Sequence, residues 1–161
     1  QPAIGELVPL RQSPIQGGIN YRRLTLWRSR DHGSSLVGIV WTPGQTAHIH
    51  SHDYSAVCRR IEGTIEVTDF TRIADDRLCV LRHAQLGASA LTEFTEGETI
   101  HVVQNIGSQD AIDLHYCGPR GDSTALRYEP KDPRRSFTVG EEIDVTAAAD
   151  CLPVLISPLA D

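Results

Sequence analysis

Short apolar-rich runs alternate along this chain with clusters of turn-forming residues, and little of it repeats at helical spacing. Residues 36–41, Leu-Val-Gly-Ile-Val-Trp, form the most apolar run and read as a strand. Further strand-like stretches cover 57–61, 64–70, 77–82, 100–103, 111–117, 125–128 and 136–139. Glu62-Gly63 stands between two of them and reads as a hairpin turn. Residues 130–135, bounded by Pro130 and containing Pro133, read as a loop, and those after Thr146 as a peripheral tail. At most one short helix is expected, early in the chain. Many short strands separated by turn signals predict an all-β sandwich or barrel.

The length of 161 residues suits one domain with a core of its own, taken as 1–161 with a barrel core over roughly 20–145 and a tail over 146–161. An apolar fraction of 40% and a charged fraction of 22% are ordinary for a soluble protein. No apolar run is long enough to span a bilayer, and no basic start followed by an apolar stretch marks a secretory signal. No membrane partner is therefore expected, and because a chain of this size needs no disulfide framework, a reducing cytoplasm is the expected location. With 21 acidic and 15 basic residues the net charge is −6, and the basic residues are scattered, which argues against nucleic acid as a partner. Cys58, Cys79, Cys117 and Cys151 are widely spaced and form no CxxC pair, so neither a disulfide framework nor a cysteine metal site is expected.

The sharpest feature is Gly44-Gln-Thr-Ala-His48-Ile-His50-Ser-His52. Alternating histidines on a strand would all face one side. His48 and His52 also stand one helical turn apart, but no glutamate follows His48 as an HExxH helix would require, and the flanks read as strand and turn. A surface cluster holding no ligand is the bland alternative.

The spacing Gly44-x5-His50-x-His52, closed by Gly63, resembles the first motif of the cupin superfamily, and His101-Val-Val-Gln-Asn105 resembles the end of the second. That resemblance implies a single-domain cupin, a double-stranded β-helix or jelly-roll barrel. Inside it, His50, His52 and His101 would converge on one metal ion. On ligand type alone, imidazoles suit Fe(II), Ni, Co, Cu and Zn about equally. Most cupins add a carboxylate ligand before the closing glycine, and here that position is Ala56.

Three histidines without a carboxylate resemble the thiol dioxygenase branch, the cysteine dioxygenase type I family. Trp41, the run Trp41-Thr-Pro-Gly44, Tyr21-Arg-Arg23 and Ile112-Asp-Leu-His115-Tyr-Cys117-Gly-Pro119 extend the likeness over roughly residues 20 to 120. It implies Fe(II) as the metal, with Ni, Co or another divalent ion as alternatives. The substrates implied are O2 and L-cysteine or a related small thiol acid, with a sulfinate as product. Tyr21 and Arg23 would bind the substrate, since the planar guanidinium fork matches a carboxylate. His115 would sit behind the metal ligands, and a homodimer is compatible with the family.

Several positions depart from that pattern. Ala56 cannot form the cysteine–tyrosine cross-link of the animal enzymes. The family's Ser-x-His-x-Tyr reads Asp113-x-His115-x-Cys117, so a cysteine stands where a tyrosine is usual, and Asp113 is expected to keep His115 protonated. A small buried apolar role is the alternative for Cys117. Cys58 and Arg60 share the strand parity of Ala56 and should point inward, which makes Arg60 a rival to Arg23 for the carboxylate. For both arginines a solvated surface position is the alternative. His48 is expected to face the same way as His50 and His52, as a proton relay, a fourth ligand or a polar wall residue. The expectation is a metal-dependent thiol oxygenase. The alternatives are redirected oxidation in a specialised pathway, such as sulfonamide formation, another small cupin enzyme such as an isomerase, or a metal-binding module without turnover. Fold alone does not choose among them.

Overall fold

Where β-branched and aromatic residues alternate with polar ones, the chain extends and pairs. The computed structural model describes residues 21–119, 125–132 and 136–150, and among these it shows eleven strands and no helix. They are β1 Arg22–Arg28, β2 Ser35–Trp41, β3 Ile49–His52, β4 Ala56–Glu62, β5 Ile65–Ala74, β6 Arg77–Leu86, β7 Leu91–Phe94, β8 Ile100–Asn105, β9 Ala111–Cys117, β10 Ala125–Pro130 and β11 Glu142–Asp150. Five form a sheet in the order β1-β2-β9-β4-β7, and six close into a ring in the order β10-β11-β6-β5-β8-β3.

Two apolar layers follow from the alternation. Ile49, Phe70, Leu78, Val80, Ile100 and Tyr128 pack together in one cluster contributed by ring strands. Val37, Ile39 and Trp41 of the sheet pack with Ile65, Val103 and Ala47 in another, between sheet and ring. Along β8, Ile100 and Val102 belong to the first layer and Val103 to the second, because successive side chains point to opposite faces. His101 shares the face of Val103.

Asn105, fully buried at the end of β8, fastens this layer. Its Nδ2 donates to the carbonyls of Trp41 (2.8 Å) and Gln109 (2.9 Å), while its Oδ1 accepts from the Gly107 amide at 2.8 Å. The asparagine of His-x3-Asn therefore ties the strand of His101 to the end of β2.

Three readings of the pattern are corrected. Glu62-Gly63 is no hairpin, because β4 pairs with β7 and β9 while β5 pairs with β6 and β8. The glycine, at φ +74°, instead carries the chain from sheet to ring. A Cβ there would lie 2.7 Å from Ala111 Cα and the Asp110 carbonyl. Residues 136–139 form no strand. They lead into a turn in which Gly140 donates to the Val80 carbonyl and Val80 to that of Glu141, and Phe137 packs on the ring cluster. Nor does a tail begin after Thr146, because β11 continues to Asp150, paired with β10. With β3 on its other edge, β10 has its backbone satisfied on both sides.

β1, the four-residue β7 and β11 are further strands that the pattern did not single out. The early helix and Cys151 lie outside the described residues, as does the part of the 130–135 loop from Pro133 to Arg135. No helix of the described residues is long and apolar enough to cross a membrane.

Candidate metal centre

His50 and His52 share one face of β3, and His101 stands opposite His50 across the ladder to β8. Their ligand atoms all lie within 4.8 Å of one another. Ring centroids are 4.6 Å apart for His50 and His52, 4.7 Å for His50 and His101, and 5.4 Å for His52 and His101. Among the described residues no other group of three His, Cys, Asp or Glu side chains is placed to share an ion.

Two of the rings are held by defined contacts. His50 Nδ1 lies 2.8 Å from the carbonyl of His48. Donation through Nδ1 fixes the tautomer that leaves Nε2 as a lone-pair donor. His52 stacks on Phe94 at 4.3 Å and 21°, and its Nδ1 is buried with no hydrogen-bond partner. Burial first, then the neighbouring histidine charges, push His52 and His101 well below the ordinary imidazole value. Both are therefore neutral, as metal ligands must be. Three converging imidazoles, one with an unmatched buried nitrogen, fit a divalent cation.

The histidines open onto a cavity of about 750 Å³ between sheet and ring. Its sheet wall is built by register. Arg23, Ile39, Asp113 and Arg60 align across β1, β2, β9 and β4, and Thr25, Val37, His115 and Cys58 align in the next inward row. Arg60 Nη2 lies 2.8 Å from Asp113 Oδ1, an ion pair off the ideal hydrogen-bond direction, and Arg60 Nε and Nη1 reach no acceptor. Asp113 Oδ2 accepts from Trp41 Nε1 at 3.0 Å. Burial lowers the Arg60 pKa against the opposing pull of Asp113.

His115 Nδ1 lies 3.2 Å from Cys58 Sγ, and its Nε2 3.9 Å from Asp113 Oδ2. Burial pulls its pKa down, but Cys58 and Asp113 outweigh that and raise it to about 10. Cys117 is 1% exposed, and burial raises its thiol.

Of the candidate residues, Tyr21, Arg23, Arg60, Asp113, His115 and Cys117 all line this cavity with the three histidines. Tyr21 packs against Trp41 with ring centroids 4.3 Å apart. Arg23 is 4% exposed. His48 is the exception. β3 begins only at Ile49, so strand alternation does not reach position 48, and the His48 ring turns to Glu129 at 3.7 Å. Its carbonyl meets His50 Nδ1.

Two wall residues escaped the sequence reading, Tyr54 and Phe94. Tyr54 packs 4.9 Å from His52 and is buried, which pushes its phenol well above the ordinary value. Its position two residues after His52 continues the alternation and was the available signal. Phe94 had none, since only the β7–β4 ladder brings it opposite Ala56.

No protein-family model and no curated protein sequence matches the chain. Solved structures do. One is a protein with a double-stranded β-helix domain from Klebsiella pneumoniae, with a TM-score of 0.52 and 18% identity over 69% of this chain and 86% of that one. Another is a cupin 2 conserved barrel domain protein from Salinispora arenicola, with a TM-score of 0.50 and 14% identity over 68% of this chain and 83% of that one. An oxalate oxidase matches with a TM-score of 0.52 and 16% identity, over 68% of this chain and 57% of its own. At these identities the likeness establishes the fold. The chain is an all-β protein of the cupin, double-stranded β-helix architecture, with a histidine group able to hold a metal ion.

Proposed function

We propose that the chain is a mononuclear metal-dependent oxygenase that oxidises the sulfur of a small thiol acid, L-cysteine or a close relative, with O2. The observation that carries this reading is Arg23, a buried guanidinium in the wall of the three-histidine cavity, near enough for its charge to bear on His52. Arg60, the other inward arginine, pairs with Asp113 through Nη2, keeps Nε and Nη1 unmatched, and stands as a rival for the same carboxylate. A guanidinium in such a layer favours an anionic ligand, and its fork matches a carboxylate.

His50, His52 and His101 would hold the ion, Fe(II) first and Ni or Co as alternatives, and when bound it supplies a centre at which thiol and O2 meet. The chain's own residues do the rest. Arg23 fixes the carboxylate, Tyr21 stacked on Trp41 walls the same end, and Val37, Ile39, Val103 and Phe94 keep the layer poor in water. Ala56, in place of a carboxylate, leaves a ligand set without charge of its own. The overall reaction, RSH + O2 → RSO2H, balances without a further reductant. A metal-binding module without turnover would have no use for Arg23 and His115 buried beside the histidines, which favours an enzyme. Cys117, where the family carries a tyrosine, supports a second reading in which the same substrate gives another oxidised product, sulfonamide among them.

Anaerobic loading with Fe(II), followed by oxygen uptake with L-cysteine and mass spectrometry of the product, tests this. A product heavier by two oxygens supports the sulfinate reading, and a different sulfur oxidation product supports the second. No uptake with Fe, Ni or Co and any small thiol would sink both.

A further inference from the structure

We infer that Cys58 is a second reactive centre in this cavity, a nucleophilic thiol paired with His115 that opens small-molecule disulfides. The two side chains stand directly opposite on β4 and β9, with sulfur and Nδ1 3.2 Å apart. The far nitrogen of His115 lies 3.9 Å from Asp113, which is itself held by Trp41 and Arg60. Sulfur, imidazole and carboxylate thus follow one another in the order that activates a nucleophile. Both strands are internal to the sheet, so the spacing is set by rigid ladders.

Cys58 and His115 line the cavity of the three histidines, which gives a ligand a route to the sulfur. Burial alone makes a thiol inert, as it does for Cys117 two pairs further along the same ladder. The imidazole at hydrogen-bond distance is what distinguishes Cys58. Charged or titratable groups that bear on the pair are Arg60, Asp113, Cys117, Tyr54, His52 and His101.

The electrophile class follows from what surrounds the sulfur. Acyl transfer needs free backbone donors for an oxyanion. At Cys58, β4 is paired on both edges, with Thr92 and with His115. Disulfide exchange needs only a thiolate and a proton for the departing sulfur. The Cys58 thiolate forms a bond to one sulfur of RS–SR as the S–S bond breaks, and RS⁻ leaves with the proton carried by His115. The sum is Cys58–SH + RSSR → Cys58–S–SR + RSH, and no other oxidant or reductant is required. That L-cystine is a fitting disulfide rests on the thiol-acid reading above; the nucleophile does not.

The test treats metal-loaded protein, without oxygen, with L-cystine and with cystamine, a disulfide lacking carboxylates. Intact mass and peptide mapping locate the adduct among the four cysteines. One adduct on Cys58, absent in Cys58→Ser, is expected. In His115→Gln the rate at pH 7 should fall about ten-fold or more. An adduct on Cys79, Cys117 or Cys151 instead, no adduct at all, or a Cys58 rate indifferent to His115→Gln overturns the inference. Mapping of the wild-type protein decides even where a variant misfolds. Cys58 labelling without oxygen uptake on L-cysteine keeps the nucleophile and removes the oxygenase reading; uptake without labelling does the reverse.

Discussion

Arg60 and Asp113 face each other across β4 and β9 at 2.8 Å, with side chains only 1% and 7% exposed. The pair closes the inward row that begins at Arg23, and Asp113 compensates the Arg60 charge within it. Its value is in mutual compensation. Removing one partner strands the other charge in the layer, so Asp113→Ala should cost about 3–5 kcal/mol in urea unfolding. Replacing both, as Arg60→Met with Asp113→Leu, should cost far less than the sum of the single changes. Additive losses would show that the two charges do not depend on each other.

Gly63 and Gly97 both hold positive φ, +74° and +70°, yet only Gly63 is enclosed. A Cβ at Gly63 meets Ala111 Cα at 2.7 Å, whereas at Gly97 nothing lies within 4 Å. Gly97→Ala should therefore cost about 1 kcal/mol of backbone strain alone. Gly63→Ala should cost at least about 2–3 kcal/mol, because backbone must move as well. Equal midpoints in denaturant for the two variants would remove the close-approach argument.

These contrasts show where sequence pattern is informative. Period-2 alternation placed His50 and His52 on one face and Ala56, Cys58 and Arg60 on another, because side-chain direction is a local property of an extended chain. Partner choice is not local. Glu62-Gly63 carries an ordinary turn signal, yet β4 finds its partner about fifty to sixty residues away in β9. Phe94 was missed for the same reason, since only long-range pairing seats it against His52, whereas Tyr54 lay within reach of the local alternation. His48 failed at the edge of the rule, one residue before its strand begins.

If Arg23 binds a carboxylate, the effect of changing it should depend on the substrate. Arg23→Lys keeps the charge and loses the fork. KM for L-cysteine should then rise about ten- to a hundred-fold, with kcat less affected. Oxygen uptake with cysteamine, which has no carboxylate, should hardly change. Parallel losses on both substrates would mean that Arg23 supports the cavity without recognising the acid.

Acid and alkaline limbs of stability should have different owners. The folded-state pKa values of His52 and His101 lie below the ordinary value, so below about 6.5 the unfolded chain takes up protons that the folded one refuses. Metal-free protein should therefore lose up to about 1.4 kcal/mol per pH unit per histidine on acidification. His115 acts in the opposite sense. Raised to about 10, its contribution is complete below the unfolded value and is lost as pH climbs towards 10. Urea unfolding of metal-free protein from pH 5 to 10 should give a maximum near neutrality, and His115→Gln should flatten only the alkaline side. Divalent metal binds the neutral imidazoles, so it should raise the curve most above about pH 6.5, and replacing His50, His52 or His101 by alanine should abolish that gain along with one bound ion per chain. A metal-induced gain that survives all three alanine changes would place the ion elsewhere.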